Sequence, residues 1–438
     1  MKISPNEERS LRLTSKPRMQ ASKLARQCLV APRIGHMDAR TVRLFFLGNG
    51  VEASRPIVWI IGFFAFLNVY SVQAVLPMVM DDFHTTALEA GMTVGATVLA
   101  IGLVSPFIGM LSDAVGRKVV LCTSMFALTV PTALIPISHS LDSLIVLRFL
   151  QGLTIPGIAV VLIAYLSEEF RSGGVVQMTA TYVGGTVMGG FCGRFLTGHA
   201  GHLLGWRGAF VALAVLNLLG ALLVLWLLPP SRQFVPNRNV TGGMQTLLSH
   251  LRNRRLMAAC AVGFCVLFSL VGTFTYVNLH LALAPFNLSA AGLANVFTVY
   301  LVGVIVTPLA GRHIDRLGFM KSLLGALAIS ATGLLMTLLP SIFFVVVGLA
   351  VCSTGVFLCQ SATIGSIART VSEGRSLATG IYYLSYYCGG AAGSWLAGLA
   401  FEGWGWSGSV ATIALFQGIA ATIVLFVWRE RGAEAIRN

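Results

Sequence analysis

Charge is scarce in this chain: Asp, Glu, Lys and Arg together make up 11% of its 438 residues, less than half the roughly 25% of an ordinary soluble protein. Apolar residues take the space, at 56% with 47 Gly besides. A soluble fold lacks the interior to hide so much apolar surface, so a cytosolic enzyme, a disordered chain and a disulfide-stapled secreted module are excluded. The eight cysteines form no CxxC pair and read as small packing residues. No GxxxxGK[ST] loop occurs, nor any Ser/His/Asp or His/Cys/carboxylate set with catalytic or metal-ligand spacing. The expectation is a protein that is not an enzyme and that carries no cofactor and no metal.

What is present is a series of apolar runs, each long enough to cross about 30 Å of hydrocarbon at ~1.5 Å per residue. They fall near 57–80, 90–111, 119–138, 143–166, 176–199 and 206–228, then 257–281, 291–311, 321–340, 342–366, 376–400 and 407–428. Backbone groups in lipid must be bonded within their own segment, and the runs lack the alternation of a barrel strand, so helices are expected. The chain thus reads as an all-α polytopic membrane protein with twelve transmembrane helices. Its expected divisions are a basic tail (1–55), a first six-helix half (56–228), a central loop (229–256), a second half (257–428) and a C-terminal tail (429–438).

Net charge is +14, and residues 1 to 55 alone hold eleven Lys and Arg against four acids. With only Phe45 and Phe46 available for stacking, that tail reads as a solvated arm beside an anionic leaflet, with no nucleic acid as partner. No short apolar run with a cleavage site follows it, so it does not read as a signal peptide. With the N-terminus inside, all but three of the 30 Lys and Arg fall in cytoplasmic segments, which places both termini and the central loop in the cytoplasm.

The two halves repeat one another. Pro106, Gly109, Asp113 and Gly116 recur 202 residues later as Pro308, Gly311, Asp315 and Gly318. Gly189, Gly190, Gly193, Gly198, Gly205, Trp206 and Gly208 recur 200 residues later, from Gly389 to Gly408. Six spans per repeat make the repeats parallel, related by an axis along the membrane normal, an arrangement that encloses a midplane site and rocks about it.

Between spans two and three stand Gly109, Leu111, Asp113, Gly116, Arg117 and Lys118. This loop resembles the GxLaDrxGrkxxl signature of the major facilitator superfamily, departing at Ser112 and Ala114. Gly109 lets a facing helix come close, and Asp113 can accept from helix N-terminal amides across the domain interface near Ser376. The loop reads as a latch that holds the cytoplasmic side shut, with Asp315 the weaker copy. In span four, Arg148 and Gln151-Gly152 resemble the RxxqG element of the drug:proton antiporter branches. Span five resembles their GP-rich motif, with Gly190 where the motif has Pro and Arg194 where it has a second Gly. Tyr165 to Glu169 and Trp206-Arg207 add a likeness to arabinose-efflux-type bacterial permeases.

The resemblance implies a monomeric secondary transporter of the bacterial inner membrane, working by alternating access on a small-molecule substrate. Proton-coupled efflux of drug-like or sugar-like molecules is the expected activity; the alternative is a facilitator or symporter for a small organic anion, suggested by two membrane arginines. In the family, helices one, four, seven, ten and eleven contribute to the cavity. The binding candidates are Tyr70, Gln73, Arg148, Gln151, Tyr276, Gln360, Tyr382 and Tyr386, with Arg194 of span five added for its charge within the membrane. Lysine at either arginine keeps charge but loses the planar fork, so reduced transport in a stable protein is the expectation. No Asp or Glu lies within any run, which leaves Asp81, Asp82 and His280 as proton-coupling candidates.

Overall fold

The computed structural model describes residues 54–170, 172–231, 249–306, 316–371 and 375–428. The basic N-terminal tail, most of the central loop, Asp315 and the C-terminal tail lie outside them. Among the described residues the regular structure is helical throughout.

Span one is broken. A helix over Arg55–Leu67 gives way at Asn68 to a turn, a 3-10 segment over Ser71–Val75 and a helix over Leu76–Phe83, bent by 46° from the first. Spans two, three and four are Ala87–Val115, Arg117–Leu134 and Leu141–Glu169. Spans two and four begin on capping boxes, Thr86 with Glu89 and Ser140 with Ser143, which satisfy amide groups that water cannot reach deeper in. Spans five and six form one run, Ser172–Leu227, interrupted at Gly205. Spans eleven and twelve form another, Arg375–Trp428, interrupted at Trp404 and Gly405. Each run is far longer than the ~20 residues one pass requires, so each counts as two passes. Span seven is Arg254–Ala282, capped by Asn253. Span eight starts as Ala290–Val296 and tightens to a 3-10 segment over Phe297–Leu301. Spans nine and ten are Phe319–Met336 and Ile342–Thr370. The described helices fall on the expected runs, with residues 307–311 of span eight outside the described residues.

The sequence repeat has a structural cause. Among the described residues four glycines take positive φ, Gly116 (115°) with Gly318 (76°) and Gly205 (72°) with Gly405 (62°), and each pair is one member of the repeat. The left-handed region favours glycine, so the chain reverses at equivalent points of both halves. Close packing repeats as well. In span five a Cβ on Gly185, Gly189 or Gly193 would stand 2.2, 2.1 or 1.9 Å from the carbonyl oxygen of Trp59, Phe63 or Leu67 in span one. In span eleven, a Cβ on Gly389 or Gly393 would stand 2.1 or 2.4 Å from the carbonyl oxygen of Phe264 or Phe268 in span seven. Small residues let the backbones touch, the usual source of helix association where lipid removes the hydrophobic drive.

Spans two and eleven cross the boundary between the halves side by side. Gly91 and Gly95 meet Ser394, Gly102 meets Tyr387, and Gly380 meets Pro106, so the two helices are antiparallel. The end of the bundle bearing Arg117, Lys118 and the start of span eleven is the basic face; the opposite end, with Thr86 and Glu402, is the far face.

Candidate functional site

A cavity of about 220 Å³ lies between the halves. Tyrosines dominate its wall: Tyr70 of span one, Tyr182 of span five, Tyr300 of span eight, and Tyr383, Tyr386 and Tyr387 of span eleven. Phe66 and Phe357 add two more rings, and Ser105, Thr186, Gln360 and Ser361 add neutral hydrogen-bonding groups. Among the described residues no charged side chain lines it. Such a wall offers ring faces and edges to an apolar or aromatic body and hydroxyls to a few polar atoms.

Of the residues expected to bind substrate, Tyr70, Gln360 and Tyr386 line this cavity. Tyr382 does not, although its neighbours do. It is 1% exposed and lies over Gly263 of span seven, where a Cβ would stand 2.4 Å from its ring. Sequence spacing gave span eleven two i, i+4 tyrosine pairs without saying which faces inward. Tyr383 and Tyr387 belong to those pairs, Tyr182 and Tyr300 were not singled out, and the common signal is residue type: six of the nine tyrosines converge here.

Arg148 and Gln151 are also outside the lining, and the reason is the break in span one. The carbonyls of Asn68 and Val69 leave the regular helical ladder there, and Arg148 donates to both, from Nη1 at 2.8 Å and Nη2 at 2.7 Å. Its Nε donates to Thr93 O at 3.3 Å and Nη1 also to Gln151 Oε1 at 2.6 Å, while Gln151 Nε2 donates to Thr132. The guanidinium is wholly buried. Its fork is spent on protein acceptors, and both residues hold a helix break in place.

Arg194 stands one layer behind the cavity wall. Its Nε donates to Gln73 Oε1 at 2.7 Å and its Nη1 to Gly190 O at 2.7 Å. The guanidinium carbon lies 4.5 Å from the Tyr70 ring centroid, 4.4 Å from Tyr300 and 4.9 Å from Phe297, so rings of both halves enclose the cation. Gln73 passes the connection on, donating from Nε2 to Thr275 of span seven at 2.9 Å, while Asn278 donates to Gln73 O at 2.6 Å. Gln73 is therefore a joint between the halves, outside the lining.

The far face is shut by further contacts of this kind. Ser394 Oγ donates to Gly91 O at 2.6 Å, and the Leu88 amide donates to Glu402 at 3.1 Å. Tyr276, expected to bind substrate, sits in this closure instead: its hydroxyl donates to Ser394 O at 2.5 Å, wedged where Cβ atoms on Gly91 or Gly398 would stand 2.2 or 2.1 Å away. On the basic face Asp113 pairs at 2.5 Å with Arg117, which also binds Glu168 and Ser112, all within the first half. A Cβ on Gly109 would have nothing within 4 Å. Gly116 supplies the turn, and Lys118 donates to Leu228 O at 2.5 Å.

The proton-coupling candidates are dispersed at the far face. Asp82 pairs with Arg207 at 2.6 Å, Asp81 is exposed, and His280 is half-buried against Trp406, with ring centroids 5.8 Å apart. Glu402 was missed because its helix continues beyond the apolar run that ends at residue 400.

Residues 58–294 and 273–437 match the profile of the Major Facilitator Superfamily. The inner membrane transport protein YnfM of Escherichia coli K12 is 32% identical over 366 residues, covering 83% of this chain and 87% of that protein. The chloramphenicol resistance protein CraA of Acinetobacter baumannii is 26% identical, over 61% of this chain and 65% of CraA. A bacterial homologue of the human lysosomal transporter Spinster, solved inward-facing and occupied, superposes with a TM-score of 0.71 at 14% identity, over 86% of this chain and 96% of that one. Profile, relatives and fold agree with the loop at Gly109 to Lys118 and the six-plus-six repeat: the chain is a membrane transporter that belongs to the Major Facilitator Superfamily.

Proposed function

We propose that the chain is a proton-coupled exporter of small organic molecules in a bacterial inner membrane, acting as a monomer. The basic face is the cytoplasmic one on the positive-inside rule, with both termini on that side. The halves divide at 56–228 and 257–428 around the central loop at 229–256. With the far face closed and the Asp113 loop turned back on its own half, the cavity is the inward-facing site. The observation that carries the reading is the tyrosine-lined, uncharged cavity built by both halves beneath a closed far face. Its rings and hydroxyls suit an apolar or aromatic molecule with a few polar atoms, and a drug-resistance relative supports the outward direction.

Neither arginine touches the cavity, so direct ligation of an anion by guanidinium, the basis of the symporter alternative, loses its support. Proteoliposomes test the proposal. An imposed pH gradient should drive uphill movement of aromatic drug-like compounds toward the acidic compartment. Transport indifferent to the gradient would remove the exporter reading.

A further inference from the structure

We infer that the cavity is polarised for an aromatic monoanion, whose acidic group docks at the Gly190 end under the field of Arg194. The inference rests on the proposed function only in taking this cavity as the substrate site. Three observations carry it. Arg194 is 1% exposed, and no carboxylate among the described residues pairs with it; its partners are Gln73, the Gly190 carbonyl and three rings. Rings and amide dipoles moderate a cation without cancelling its charge, so a positive field persists in a low-dielectric wall. Arg148 differs, because three backbone carbonyls converge on it.

The wall between Arg194 and the cavity is also thin. Tyr70 and Tyr300 line the cavity with the same rings that hold the guanidinium. The third separating residue is Gly190, which has no side chain to interpose. It lines the cavity, and a Cβ on it would meet only Arg194 Nη1, at 3.6 Å. Finally, among the described residues no acid lines the cavity to offset the field or to welcome a cation. An anionic group at this end gains from the cation behind the wall and from hydroxyl donors of the tyrosines, while the aromatic body stacks among the rings. A cationic group meets the same rings there but is opposed by the charge of Arg194.

Calorimetric titration of the purified full-length protein with naphthoate, naphthamide and naphthylmethylamine, three probes sharing one ring system, tests this directly. Naphthoate should bind at least about tenfold tighter than naphthamide, with the amine weakest. Arg194→Gln and Gly190→Val should each bring the naphthoate and naphthamide affinities within about twofold of one another while naphthamide still binds. Should Arg194→Gln fail to fold, Gly190→Val decides. Equal affinities or amine preference in the wild type would overturn the inference, and so would a naphthoate preference untouched by the variants. Uphill transport of neutral aromatics without anion preference would remove this inference and leave the exporter standing. Anion preference with transport blind to pH would do the reverse.

Discussion

Replacing Arg148 by Lys separates a structural arginine from a substrate ligand. Lysine keeps the buried charge, and with it the desolvation cost, but gathers its donors at one point. The guanidinium fork reaches Asn68 O, Val69 O and Thr93 O, together with Gln151 Oε1. Asn68 O keeps donors in Ser71 and Thr93 O one in Thr97, so Val69 O and Gln151 Oε1 are the acceptors that depend on the fork, and an ammonium serving one of them leaves the other without a donor. A buried group left unsatisfied costs about 1–3 kcal/mol, which sets the loss before relaxation. Arg148→Met leaves both Val69 O and Gln151 Oε1 without that donor but removes the charge, so it should destabilise less than Arg148→Lys. The assay is thermal unfolding of purified protein in detergent, read beside transport per folded molecule. The sequence alone suggested the opposite outcome, a stable protein with impaired transport. A lysine variant that melts with the wild type yet transports nothing would refute the structural account and return Arg148 to the binding site.

Tyr276→Phe removes the hydroxyl that bonds Ser394 O and fills the space between Gly91 and Gly398. The loss of about 1 kcal/mol should shift the protein roughly fivefold toward far-face opening, seen as faster alkylation of a cysteine placed at Ala294; unchanged alkylation contradicts the role given to this contact. Gly109→Leu should be tolerated in the far-face-closed state, where nothing lies within 4 Å of a Cβ, and clash only when the basic face closes. It should therefore fold normally and stay trapped basic-face-open, and normal transport by this variant would rule out the latch. Asp113→Asn gives up a pair whose acid is 40% exposed, worth at most about 1 kcal/mol in this state. Its larger effect should be a population shift toward basic-face opening, and cysteine accessibility equal to wild type on both faces would count against it.

The parts of the molecule that were legible in the sequence are those that depend on one residue and its own backbone. The repeat could be read because glycines at matched positions are fixed by local need. Gly205 and Gly405 turn the chain at positive φ, while Gly189 and Gly389 admit a neighbouring carbonyl where a Cβ cannot fit. Span lengths follow from hydrocarbon thickness.

What could not be read depends on which helix stands opposite. Nothing near Asn68 announces that span one breaks there, because the break is compensated from span four by Arg148, 80 residues away. Without knowledge of that break, an arginine in a span looks like a charge in want of a ligand. Arg194 shows the same dependence with a different result: its rings come from spans one and eight, brought together only by the packing of the halves. One arginine is quenched by carbonyl dipoles, the other left with its field. Two arginines within spans therefore divide the work, one holding the helix that shapes the cavity and the other charging its wall.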